Sequence, residues 1–204
     1  MQLYYKTGAC SLAARIALIE AEAPFDAVLV DTRAGLTEDG RDYRTINPKG
    51  YVPALELADG QVLTEGPAVL QFIADQHPAA GLAPPNGTLA RARLQEHLNY
   101  ISSELHKAFA PFFSGARLDA SNRDKAVARV HAALASFERH LADGRTYLMG
   151  DAFTVADALF FVVVSWSKFV AIDLLPFPHI AGYMTRTRAR SSVQKAMNDE
   201  GLAD

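Results

Sequence analysis

One cysteine, Cys10, stands in the 204 residues. That scarcity excludes an intrachain disulfide, a Cys-x-x-Cys redox pair and a zinc cluster, and no metal is expected. Positive charge is also in short supply. Lys and Arg number 20 against 23 Asp and Glu, for a net charge of −3 and a pI near 6.1. Basic residues gather no more densely than the dispersed Arg186, Arg188 and Arg190. Such a chain offers no basic face to a phosphate backbone, so nucleic acid is not an expected partner. Long apolar runs are missing too: the most apolar stretch, residues 158–167, is too short to span a bilayer, and Met1 opens no basic and apolar leader. No repeat or low-complexity tract occurs. A cytoplasmic protein without a membrane partner is predicted, and with half its residues hydrophobic it can fill the core of one large or two small domains.

What is present is organised around residues 47–66, NPKGYVPALELADGQVLTEG. Asn47-Pro48 and Val52-Pro53 bias the preceding residues toward extended geometry, and Pro53 can open a strand whose first residue need not donate to a ladder. Residues 54–57 alternate, Asp59-Gly60 is the dipeptide of a tight hairpin, and residues 62–64 return, which predicts an antiparallel hairpin. Pro67 then suits a first helical turn, ahead of an apolar stripe of Val69, Leu70, Phe72 and Ile73. Glu65 therefore sits at a helix N-terminus, where a carboxylate complements the dipole even with no further task.

Upstream, residues 2–5 read as a strand and Thr7-Gly8 as a turn. Leu12, Ile16 and Ile19 fall at i, i+4 and i+7, so a helix begins near Ser11 and Cys10 lies just before it. Residues 25–30 suit a second strand, and strand, helix, strand in so short a span implies a right-handed parallel crossover. Residues 32–46 are polar and poorly periodic and are predicted as mostly loop, with room for one short helix. The order is βαβ then ββα, an α/β domain over 1–78. A Pro/Gly-rich linker fills 79–87, and residues 88–204 read as an all-α domain. Its helices carry Leu94, Leu98, Ile101 and Leu105 on one stripe, kinked or ended by Pro111, and Val127, Val130, Leu134, Phe137 and Leu141 on another, stopped by Gly144. Thr154 and Asp157 form a capping-box start for a helix buried on all sides, and one or two short helices follow near 180–184 and 193–197.

A strand entered through Val52-Pro53, a hairpin, and a helix opening on Glu65-Gly66 resemble the glutathione-binding half of the glutathione transferases, a thioredoxin-like domain. The joint spacing is more specific than either dipeptide. With the helical domain the resemblance covers the whole chain. KTGACSLAARIAL, INPKGYVPALEL, LTEGPAVLQFIADQ, ISSELHKAF and FTVADALFF are similar to the bacterial beta class, whose helix-capping folding signature Thr154 and Asp157 match. The resemblance implies a cis peptide at Pro53, with the Val52 main chain pairing with the middle of glutathione while Glu65 and Gly66 hold its γ-glutamyl end. It implies that Cys10 faces the glutathione sulfur and can form a mixed disulfide with it. It implies that Asn99, Ser103, Glu104 and His106 help hold glutathione, partly across a homodimer interface. His106 and Lys107 would stand near the sulfur and the electrophile pocket, with Trp166 as a pocket wall.

The same residues have plainer readings. A lone cysteine is usually a small hydrophobe; against a helix N-terminus, however, its pKa can fall from about 8.5 to between ~3.5 and ~7.5. Asn99, Ser103 and His106 fall at i, i+4 and i+7 beside Leu98, Ile101 and Leu105, which would equally make a solvated helix face. A histidine is apt as a neutral donor or proton acceptor, and Lys107 adds positive potential for a thiolate. Trp166, inside an apolar helix, suits plain core as well as a pocket wall.

Two positions depart from the beta-class pattern. Gly35 stands where a lysine commonly reaches the glycyl carboxylate of glutathione, and Arg33 is the nearby cation that could substitute. Tyr51 stands where glutamine is frequent and adds an aromatic wall at the site's mouth, favouring an aromatic co-substrate. The function implied is a homodimeric detoxification transferase that adds the glutathione thiolate to small hydrophobic electrophiles, with disulfide exchange or peroxide reduction as side activities. Glutathione is then a co-substrate and no cofactor is expected. A second enzyme reading, glutathione-dependent dehalogenation of chlorinated aromatic catabolites, uses the same sites, and the competing class is a non-catalytic glutathione-fold protein that carries ligands or binds a partner. A binding-only relative has no reason to keep Cys10, Glu65 and His106 together.

Overall fold

Leu3 and Tyr4 point to opposite faces of β1 (Gln2–Tyr5), and both are fully buried, so this strand is covered on both sides. In the computed structural model, which describes residues 1–115 and 117–202, β1 is the middle strand of a five-stranded sheet ordered β3-β2-β1-β4-β5. Helix α1 (Ser11–Glu20) leads from β1 to the parallel strand β2 (Asp26–Asp31). The hairpin of β4 (Ala54–Glu56) and β5 (Val62–Thr64) adds antiparallel on the other side, with Ala54 opposite Thr64. Helix α2 (Gly66–Gln76) follows and packs on α1. A core of Tyr4, Val28, Val30, Tyr43 and Ala54, flanked by Ile46, Val52 and Val62, closes this part of the chain.

One expectation needs correction. Residues 32–46, predicted as mostly loop, also contribute the edge strand β3 (Leu36–Thr37), antiparallel to β2, besides the short helical turn Tyr43–Thr45. Two residues are too few to display a period-2 pattern, so the sequence has no alternation to show there.

A second group of helices comprises α3 (Leu89–Tyr100), α4 (His106–Phe113), α5 (Ala120–Leu141), α6 (Val155–Phe169) and α7 (Pro178–Arg188). Thr88 Oγ1 caps α3 by accepting from Arg91 N–H at 3.1 Å, and Asp119 caps α5 through Asn122 N–H at 2.8 Å. The predicted stripe of Leu94, Leu98, Ile101 and Leu105 is fully buried, but a π-helical turn, Ile101–Leu105, interrupts the α-helical geometry between α3 and α4. Such a turn holds one extra residue and rotates everything beyond it by about 100°. Pro111 lies inside α4, which ends two residues later at Phe113. Helix α6 is buried continuously from Val155 to Val164, as expected for a helix without a polar face.

The chain divides into two units, Met1–Pro84 with Ala189–Asp204, and Pro85–Arg188. Residues 189–204, assigned from sequence to the helical domain, thus group with the first unit. Helix α8 (Ser191–Asp199) packs on α1, and Glu20 at the end of α1 is bonded by Arg190 Nη2 and Ser192 Oγ. Beyond α8, the buried carboxylate of Glu200 accepts from Arg15 Nε at 3.1 Å and from Gly8 N–H at 2.9 Å. A buried guanidinium needs a counter-ion, and only the far end of the chain supplies this one.

Candidate active site

The loop before α1 is fixed by small local bonds. Ser11 is fully buried; its hydroxyl accepts from Lys6 N–H at 3.2 Å and donates to Lys6 O at 3.3 Å, while Ala9 N–H reaches the same carbonyl at 3.0 Å. With Gly8 tied to Glu200, Cys10 is delivered at the N-cap of α1, half-buried. Its side chain does not cap the helix. Instead Sγ lies 3.3 Å from Val52 O, with the thiol donating.

The facing segment is held just as firmly. Tyr51 O accepts two bonds, from Tyr43 Oη at 2.8 Å and Asn47 Nδ2 at 2.7 Å, and both donors are buried. Burial pushes the Tyr43 hydroxyl up to about 12, so it remains a donor at any working pH. The Val52-Pro53 peptide bond is cis. Among the described residues Val52 N–H has no acceptor, although its neighbours on both sides are fixed.

Register places Glu65 next to this point. Thr64 lies opposite Ala54, so Glu65 comes beside Pro53. Its backbone is left-handed, φ 71° and ψ 114°, a conformation that costs a non-glycine residue on the order of 1–3 kcal/mol and gathers at functional sites. The carboxylate is exposed and paired with Lys49, Nζ to Oε1 at 2.7 Å, while Lys49 also donates to Thr64 Oγ1 at 3.2 Å. An exposed pair of this kind contributes only ~0–1 kcal/mol, so an incoming ammonium can exchange for Lys49. Gly66 opens α2, and its N–H has no acceptor among the described residues.

In the second unit, the edge of the His106 ring meets Trp166 with centroids 4.8 Å apart, and Phe109 and Phe113 stack edge-on against the same indole at 5.8 and 5.5 Å. Trp166 is 6 % exposed, so it belongs to this aromatic core. Burial lowers the His106 pKa, and the neighbouring Lys107 cation lowers it further, which keeps the imidazole neutral near pH 7. Asn99, Ser103 and Glu104 are exposed, and among the described residues their side chains have no hydrogen-bond or ion-pair partner. The π turn puts Ser103 and Glu104 side by side on the outside while Ile101 and Leu105 point inward.

The first unit matches the N-terminal domain of glutathione S-transferases over residues 7–76, and residues 100–191 match the C-terminal domain of the same family. GstA, a glutathione S-transferase of Escherichia coli O157:H7, is 42 % identical over 99 % of this chain and 100 % of its own. The chain belongs to the glutathione S-transferase family. Among solved structures, a Sphingomonad glutathione S-transferase complexed with glutathione is 44 % identical over the full length of both chains, with a TM-score of 0.93. The bacterial beta-class enzyme of Sphingomonas chungbukensis is 43 % identical, also over both full lengths, with a TM-score of 0.95. The beta-class resemblance and the thioredoxin-like domain followed by a helical one are thereby borne out.

For this transferase the structure gathers Cys10, Val52, Pro53, Glu65 and Gly66 in the first unit and His106, Lys107 and Trp166 in the second. Arg33 lies on the exposed turn after β2, its N–H bonded to Asp31 Oδ1, and Tyr51 is 75 % exposed. Sequence reasoning missed Tyr43, Asn47 and Lys49. Asn47 entered only as the residue that Pro48 holds extended, but its side chain is a buried strut for Tyr51 O. Its signal was the Asn-Pro dipeptide; Tyr43 had none, because it sits in the aperiodic segment. Among the described residues no group of three His, Cys, Asp or Glu could hold a metal, and no helix is long and apolar enough to cross a membrane.

Proposed function

We propose that this transferase, a cytoplasmic homodimer, joins the sulfur of glutathione to small hydrophobic electrophiles and exchanges disulfides through Cys10. The observation that carries the reading is the opening at Val52: an N–H without an acceptor, a carbonyl touched by the Cys10 thiol, and Glu65 next in register. An extended γ-glutamyl peptide pairs with such a main chain as an added strand, which brings its thiol to Cys10 and its amino end to Glu65 and Gly66. The solved relative that holds glutathione supports the same ligand here.

In conjugation the glutathione thiol gives up its proton, its sulfur forms a bond to the electrophilic carbon, and the leaving group departs with the bonding pair, as chloride from an activated chloroarene. Neutral His106 is assigned as the donor or acceptor near the sulfur, with Lys107 adding positive potential and Trp166 an apolar wall. In exchange the Cys10 thiolate attacks one sulfur of oxidised glutathione, forms a mixed disulfide and expels reduced glutathione. The unpartnered side chains of Asn99, Ser103 and Glu104 suit a second subunit's site. Glutathione enters as co-substrate. The test is a screen of activated chloroarenes, organic hydroperoxides and mixed disulfides with purified protein and glutathione. Conjugation of at least one electrophile is expected, and no calorimetric binding of glutathione would overturn the reading.

A further inference from the structure

We infer that Arg44 binds the C-terminal carboxylate of glutathione, an inference that rests on the function proposed above. Arg44 lies in the helical turn Tyr43–Thr45, capped by Asp42, whose Oδ1 accepts from Arg44 N–H at 2.9 Å. Tyr43 N–H bonds Gly35 O at 2.8 Å and so ties this turn to the loop after β2. The guanidinium lies along two glycines. A Cβ at Gly35 would come 3.7 Å from Arg44 Nη1 and 3.9 Å from Cζ, and one at Gly50 would come 3.9 Å from Nε. A side chain at either position would touch the guanidinium from its Cβ onward, and both glycines have a positive φ, 74° and 72°.

The fork itself is unused. Arg44 is exposed, and among the described residues its side chain has no hydrogen-bond or ion-pair partner. A guanidinium presents donors in the planar spacing of a carboxylate. Gly50 is two residues from Val52, on a segment held at Tyr51 O, and on the other side of Val52 the hairpin register brings in Glu65. A peptide paired with Val52 therefore meets a carboxylate at one end and a guanidinium at the other. That polarity fits a short peptide with an ammonium at its first residue and a free carboxylate at its last. Arg33 is the competing cation, but it sits beside Asp31, whose carboxylate is held low by the Ala34 and Arg33 N–H groups and also feels the Arg33 charge. Among the described residues, by contrast, no carboxylate pairs with the Arg44 guanidinium.

The experiment compares glutathione with its glycyl monoethyl ester as substrates of the wild type, Arg44→Met, Arg44→Lys and Arg33→Met, reading KM and kcat separately. The wild type should prefer the free acid by ~10-fold or more in KM, in line with a charge-assisted bidentate pair. Arg44→Met should raise the KM for glutathione by ~10–100-fold, leave kcat at saturation within about twofold, and bring the acid-to-ester ratio close to one. Arg44→Lys should recover part of the preference, because it restores the charge without the fork. A wild-type ratio in Arg44→Met, or a ratio lost only in Arg33→Met, would overturn the inference while glutathione binding stands. Failure of the wild type to bind either form would overturn the underlying reading and the inference with it.

Discussion

Replacing Asp157 with alanine should unfold the second unit more readily than any exposed substitution. This carboxylate is fully buried and collects four donors. Oδ1 accepts from Leu148 N–H at 2.8 Å and Tyr183 Oη at 3.0 Å; Oδ2 accepts from Thr154 N–H at 2.8 Å and Thr154 Oγ1 at 2.7 Å. Burial raises its pKa and the donors oppose that shift. The two hydroxyls can turn to other acceptors, and Tyr183 Oη already has Asp157 O at 3.2 Å. The two amides cannot turn, and Leu148 and Thr154 lie at 0 % and 2 % exposure, out of reach of water. At ~1–3 kcal/mol for each orphaned amide, Asp157→Ala should lose about 4 kcal/mol. That is a large fraction of the ~5–15 kcal/mol by which a native protein is stable. Urea unfolding followed by far-ultraviolet circular dichroism measures it, with Asp157→Asn, which keeps one carbonyl acceptor, expected to lose about half as much. A loss below ~1 kcal/mol in Asp157→Ala would show that the amides find other acceptors and that the reasoning is wrong.

Glu65→Ala should weaken glutathione binding by at least ~1.5 kcal/mol, the lower range for a charge-assisted hydrogen bond, and unchanged calorimetric affinity in a folded variant would sink that assignment. Cys10→Ala should abolish disulfide exchange while leaving measurable conjugation, since no second cysteine can take its place; full exchange in the variant, or no glutathione adduct on the wild type by intact mass under oxidised glutathione, would make Cys10 a packing residue. His97, edge-on to His140 at 4.7 Å, is pushed down to about 4 by burial and then by the His140 charge. The unfolded chain protonates this group near 6.5 and the folded one only near 4, so stability should be level above about pH 6.5 and fall as the pH drops from there toward 4. A melting temperature with the same acid slope in His97→Gln would contradict this.

The legible parts of the chain were those with a period or a punctuating dipeptide. Asp59-Gly60, the Leu12, Ile16 and Ile19 spacing and the Thr154 to Asp157 box each specify a local conformation, and each produced its element. Three features were not legible. The edge strand Leu36–Thr37 is shorter than any period, and the π turn at Ile101–Leu105 keeps Ile101 and Leu105 buried, so the apolar pattern runs through it undisturbed. The return of residues 189–204 to the first unit is made by α8 packing on α1 and by Glu200 meeting Arg15 and Gly8, pairings across most of the chain that no window can contain. Of the candidate site residues, Cys10, Val52 and Glu65 stood out because the resemblance rests on the motifs that contain them. Arg44 lies in no motif, and only the structure sets its guanidinium beside Gly35 and Gly50.

The Arg15–Glu200 pair has a consequence for how the chain is made. A ribosome releases the thioredoxin-like strands first, yet residues 85–188, about a hundred of them, must be synthesised before the counter-ion of Arg15 emerges. At ~5–20 residues per second that interval is roughly 5–20 s. During it the guanidinium, which in the finished protein is 5 % exposed with the Tyr5 ring 4.2 Å away, lacks the Glu200 carboxylate that pairs with it there. The loop that presents Cys10 likewise lacks its Gly8 anchor. A nascent or truncated chain that stops short of Glu200 would thus carry the Cys10 motif with its local Lys6–Ser11 bonds but without the Gly8 anchor.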